Sequence, residues 1–143
     1  MSDQKITAEE RALAEEVGLS PQPDPVHNEL PSAHDLAIQS LRDRFAPDGV
    51  EMNDESLRLM YSDLLEMYVV LNGGREEAIK ELRKRKAFGK KKYGTTLQPH
   101  NGRDALADAR DEAGDLIVYM AVAIYERMYP KPEEAPSEDS EPH

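Results

Sequence analysis

Apolar residues recur at three- and four-residue intervals through most of this chain, and no segment alternates with the period of two that marks a half-buried strand. Leu57, Met60, Leu64, Tyr68 and Leu71 keep that spacing, with Asn53 or Asp54 placed to start a helix and Asn72, Gly73 and Gly74 placed to end it. Arg75 to Phe88 reads as the next helix, on a thin apolar edge of Ile79 and Leu82, and Gly89 is expected to interrupt it. Glutamates near the start of that helix and lysines and arginines near its end both suit the helix dipole. Ser32 caps a looser pattern from Ala33 to Phe45, and Pro47, Asp48 and Gly49 break it. Thr7 to Val17 is a short polar helix, with Thr7 and Glu10 at capping-box spacing and Gly18 as its stop.

The densest pattern runs from Gly102 to Met128. Its second half, Leu116 to Tyr125, is almost wholly apolar, and its first half places Asp104, Asp108, Asp111, Glu112 and Asp115 at helical spacings. At about 100° per residue these five carboxylates share an arc of about 100°. Leu106, Ala109, Ala113, Leu116, Ile117 and Met120 take the opposite side, so a packing surface is expected to back the acids. Asn101 is the expected N-cap, with Asp104 at the third helical position. The apolar end exceeds what one small bundle covers, and burial between subunits is expected. The fold class is all-α, a bundle of three or four core helices completed by oligomerisation.

Between the helices, Ser20 to Pro31 holds four prolines in twelve residues, which makes it a linker. After Met128 the chain turns to prolines and acids and reads as a disordered tail. The predicted organisation is an arm and linker over 1–31, a helical domain over 32–129 and an acidic tail over 130–143. With no cysteine, disulfides and thiolate metal sites are excluded. A charged N-terminus and the short apolar run exclude a membrane span and point to the cytoplasm.

Charge sharpens the picture. Eighteen basic residues against 29 acidic ones give a net charge of -11, which argues against general nucleic-acid affinity. Seven of the basic residues nonetheless fall between Arg83 and Lys92, just before the acidic helix. Lys90, Lys91 and Lys92 can hold phosphate oxygens, Tyr93 can stack or offer a hydroxyl, and Gly94 permits close backbone approach. The acidic stripe supplies the hard oxygen donors that Mg²⁺ or Mn²⁺ takes, and Glu112 and Asp115, three apart, can reach one ion. Glu77 and Glu81 offer a second pair of carboxylates. The competing readings are a solvated acidic face for the stripe and pairing of Glu77 with Lys80, and of Glu81 with Lys84 and Arg85, along the helix.

The segment KAFGKKKYGTTLQPHNGRDALADARDEAGDLIVYM resembles the MazG-like all-α nucleoside triphosphate pyrophosphohydrolases, closest to small bacteriophage-type members. The KYG turn, the NGRD loop and the following E-x-x-D helix carry the likeness, over less than half the chain. The resemblance implies metal-dependent hydrolysis of a (deoxy)nucleoside triphosphate, with a preference for a purine dNTP such as dGTP or dATP, to the monophosphate and pyrophosphate. It implies Glu112 and Asp115 as metal ligands, Mg²⁺ or Mn²⁺ as cofactor, and a homodimer or homotetramer in the cytoplasm, that of the host if phage-encoded.

The family's first motif, E-x-x-E, is out of register here: Glu77 and Glu81 stand four apart, which leaves Asp108 or Asp111 to compensate. Lys90, Lys92 and Arg103 are expected on the departing pyrophosphate, with Tyr93 and Asn101 also binding substrate and Glu77 or Glu81 taking the proton of the attacking water. The alternatives are a nucleic-acid-binding module working through Arg83 to Lys92 and a helical interaction module.

Overall fold

A computed structural model describes residues 6–132; the predicted acidic tail lies outside these beyond residue 132. Among the described residues all regular structure is helical, in five α-helices without a strand: α1 (Ala8–Glu16), α2 (Ala33–Arg44), α3 (Asp54–Asn72), α4 (Arg75–Tyr93) and α5 (Ala105–Met128). None is long and apolar enough to cross a membrane.

Local chemistry starts and stops these helices. Thr7 Oγ1 accepts from the Glu10 amide at 3.1 Å and Ser32 Oγ from the Asp35 amide at 3.0 Å. Asn53 and Ser56 cap α3 reciprocally: Asn53 Oδ1 accepts from the Ser56 amide at 2.9 Å while Ser56 Oγ accepts from the Asn53 amide at 2.8 Å. Gly73, at φ 79°, ends α3 in the left-handed region.

Two boundaries differ from the sequence reading. Gly89 does not break α4, which continues to Tyr93 and stops at Gly94 with φ 78°. A glycine inside a helix costs about 1 kcal/mol against alanine, too little to halt a helix with strong formers on both sides. Lys90, Lys91 and Lys92 are consequently helical. Nor does Asn101 cap α5. Its Oδ1 accepts from the Arg103 amide at 2.9 Å, and Asp104 caps the helix by accepting from the Ala107 amide at 3.1 Å. His100 at φ 56° and Gly102 at φ 86° bend the chain, delaying the helix to Ala105.

The chain forms two compact units. In one, drawn from residues 26–47 and 104–132 where described, α2 packs along α5. In the other, drawn from residues 6–25 and 48–103, α4 packs against both α3 and α1. Among the described residues the buried hydrophobics are alanines, Ala37 on α2, Ala14 on α1 and Ala78 on α4. Small side chains at these crossings let helix axes approach while leaving larger neighbours uncovered.

That leaves much apolar surface open. On α3, Leu57, Met60, Leu64 and Leu71 of the predicted stripe are 39%, 45%, 46% and 59% exposed, although Tyr68 is half-buried. On α5, Leu106 and Ile117 are exposed, and so are Ala109 and Ala113, while Leu116 and Met120 are half-buried. The expected apolar backing of the acidic stripe is therefore covered only in part within the chain. Burying a large aliphatic or aromatic side chain stabilises by about 1.5–3 kcal/mol, and most of these residues forgo much of that contribution.

Candidate functional site

The end of α4 and the loop after it build a cleft. Gly89 and Tyr93, one helical turn apart, supply one wall. Thr95, Thr96, Leu97, Asn101 and Arg103 complete it around a volume of about 470 Å³. The Asn101 side chain, bonded to the Arg103 backbone, fixes the turn that returns the guanidinium-bearing residue to the cleft. A Cβ built on Gly89 meets nothing within 4 Å, so the wall is open at that position. One aromatic ring, two hydroxyls, an amide and a guanidinium thus converge on a partly apolar surface. Such a set can hold a planar polar ring and pair with an anionic group.

Three of the five sequence-predicted binding residues, Tyr93, Asn101 and Arg103, line this cleft; Lys90 and Lys92 do not. Lys90 is exposed. Lys92 faces α1, with its ammonium 3.5 Å from Glu10 and 5.3 Å from the centre of the Tyr93 ring. Its neighbour Lys91 is ion-paired with Glu16. These two glutamates of α1 are neighbours of the lysines that the sequence alone does not reveal. Their signal was present in the helix pattern, since Glu10 and Glu16 flank the edge formed by Leu13, Ala14 and Val17. Nothing local to the sequence assigns that edge to α4.

The first carboxylate pair pairs along its own helix. Glu77 is exposed and lies 3.6 Å from Lys80; Glu81 is half-buried, 4.0 Å from Lys84 and 3.9 Å from Arg85. These are the intrahelical partners that the competing sequence reading named. Glu81 also borders a second cleft, between α1 and α4, together with Glu10, Lys84, Arg85 and Phe88.

On α5, Asp108 and Asp115 are half-buried and each is engaged by a further interaction, while Asp111 and Glu112 are exposed. Asp104 serves as the cap. The predicted metal ligands divide between the units, with Glu77 and Glu81 in one and Asp108, Asp111, Glu112 and Asp115 in the other. Among the described residues no three histidine, aspartate or glutamate side chains gather closely enough to hold a metal ion.

Scans against protein-family models, the curated proteins and the solved structures each find no match to this chain.

Proposed function

We propose that the chain is a metal-dependent nucleoside triphosphate pyrophosphohydrolase of MazG-like type, acting on a purine dNTP such as dGTP or dATP and assembling as a homo-oligomer. The observation that carries this reading is the cleft at the end of α4. It joins Tyr93, Asn101 and Arg103, three of the five residues that the sequence offers for binding substrate.

In this reading the Tyr93 ring and Leu97 hold the base, and Asn101 and Thr96 offer polar contacts to its edge or to the sugar. Arg103 pairs with phosphate oxygens. Glu112 and Asp115, one turn apart on α5, would hold Mg²⁺ or Mn²⁺ through hard carboxylate oxygens. Held by those carboxylates, such an ion would supply the positive charge that favours attack on a phosphate by water. Glu81 or Glu77 takes the proton of the attacking water, provided its lysine and arginine partners give way to substrate.

A second copy of the chain is part of the proposal. The acids of one α5 offer two close ligands per ion, and the uncovered apolar faces of α3 and α5 supply a surface through which further helices bring more. That exposed surface also favours a second reading, a helical interaction module that associates without catalysis. It gives no hydrolysis and keeps its oligomeric state in chelator. The nucleic-acid reading draws less support, because Lys91 and Lys92 already face glutamates.

The test is pyrophosphate release from the four common dNTPs and the corresponding NTPs, with Mg²⁺, with Mn²⁺ and with chelator. The proposal expects release from at least one purine dNTP that disappears in chelator. A folded, oligomeric protein that cleaves none of them is the interaction module instead.

A further inference from the structure

The contact between α1 and the end of α4 joins opposite charges across 75 residues of sequence, and the function proposed above does not use it. The helix α1 carries four glutamates and one arginine. Its arginine is turned away: Arg11 donates to the Gln22 carbonyl through both terminal nitrogens, at 3.4 and 3.3 Å, and draws the linker back over the helix. Two of its glutamates face the lysines, Glu16 paired with Lys91 and Glu10 lying 3.5 Å from Lys92. Between them only Ala14 is buried; Leu13 and Val17 are half-buried.

A thin apolar edge and two ion pairs together make the attachment. A nine-residue helix is marginal by itself in water, and ion pairs at exposed positions are individually weak. The lysine side chains remain 43% and 31% exposed, so an incoming anion can reach them without prior unfolding.

We propose that Lys91 and Lys92 form a polyphosphate-binding site whose resident occupant in the free chain is the glutamate edge of α1. A polyphosphate competes with Glu10 and Glu16 for the same ammonium groups, and α1 leaves α4 when it binds. The helix thus sets an anion threshold. Weakly charged anions such as a monophosphate do not displace two carboxylates at once, whereas a triphosphate presents enough charge on adjacent groups to do so. The inference stands apart from the function proposed above and requires no turnover.

Inorganic tripolyphosphate is the probe, titrated into the full chain in metal-free buffer and followed by calorimetry. The variant Glu10→Gln/Glu16→Gln keeps side-chain shape and removes both charges. It should bind tripolyphosphate about fivefold tighter, the order implied by two exposed ion pairs of ordinary strength. Adding Lys91→Gln/Lys92→Gln should abolish that gain. In the unmodified chain, amide exchange of residues 8–16 should quicken on adding tripolyphosphate and not on adding the same concentration of monophosphate.

Equal affinity in wild type and the glutamine variant, or absence of binding in both, overturns the proposal. So does unchanged exchange in α1 at saturating tripolyphosphate. A chain that shows the binding gain but cleaves no nucleotide rejects the pyrophosphohydrolase reading and keeps this one; cleavage without the gain does the reverse.

Discussion

The charged surfaces of α4 and α5 face different situations. Two of the lysines at the end of α4 meet glutamates that the same chain supplies from α1, and the loop after α4 closes a cleft beside them. On α5, Asp108 and Asp115 are half-buried and engaged while Asp111 and Glu112 are exposed, and the apolar residues that should back them are covered only in part. The α4 region is shaped by contacts within one unit. The α5 region presents hard ligands and bare apolar surface, the combination that an added helix and a divalent ion would complete. The difference separates the parts of the proposed function that a single copy can perform, binding and charge recognition, from the part that needs assembly.

The sharpest way to break this contrast is to deny α3 and α5 the proposed second copy. Leu64→Glu places a charge in the middle of the exposed α3 stripe and should leave helix content unchanged by circular dichroism. Removing a leucine that the proposed interface would bury costs about 1.5–3 kcal/mol, so the subunit dissociation constant should rise ten- to hundredfold, with activity following the loss of assembly. Ultracentrifugation across a concentration series reads this. An unaltered oligomer would move the interface off α3.

A smaller effect is expected at the cleft. Arg103→Ala removes one charge-assisted contact, worth about 1.5–3 kcal/mol, and should raise KM for the triphosphate by about tenfold or more while the oligomer persists. If kcat falls and KM holds, Arg103 acts on the reacting phosphate rather than in binding. The smallest effect is structural. Asn53→Ala should lower stability by about 1 kcal/mol, read as a drop in Tm, with KM unchanged because the α3 cap is not part of the cleft lining.

Helices were readable in this sequence wherever one residue both ends a pattern and satisfies an orphan backbone group. Thr7, Ser32, Asn53 and Gly73 do this, and the elements they bound lie within a residue or two of expectation. Gly89 weakens the helix without stopping it, and Gly94, in the left-handed conformation, is the residue that ends α4. Asn101 misled because the same side chain that caps helices also closes a turn onto its own backbone.

The cleft residues Tyr93, Asn101 and Arg103 were legible as a group since a short loop keeps them close. The role of α1 was not, since ion pairs between Glu16 and Lys91 and between Glu10 and Lys92 join distant segments through charges that many other pairings would satisfy equally well. The partition of the acids between two units was hidden for a related reason. Helix periodicity states which residues share a face and leaves open which helix that face will meet.

The claim that α5 carries the metal-binding half of a pyrophosphohydrolase is tested most directly by pyrophosphate release from dGTP and dATP with Mg²⁺, measured for the wild type and Glu112→Ala side by side. An exposed substitution on α5 should leave folding intact within about 0.5 kcal/mol. The account predicts one pyrophosphate per nucleotide consumed by the wild type and turnover abolished in the variant. Full activity in Glu112→Ala would remove α5 from the chemistry.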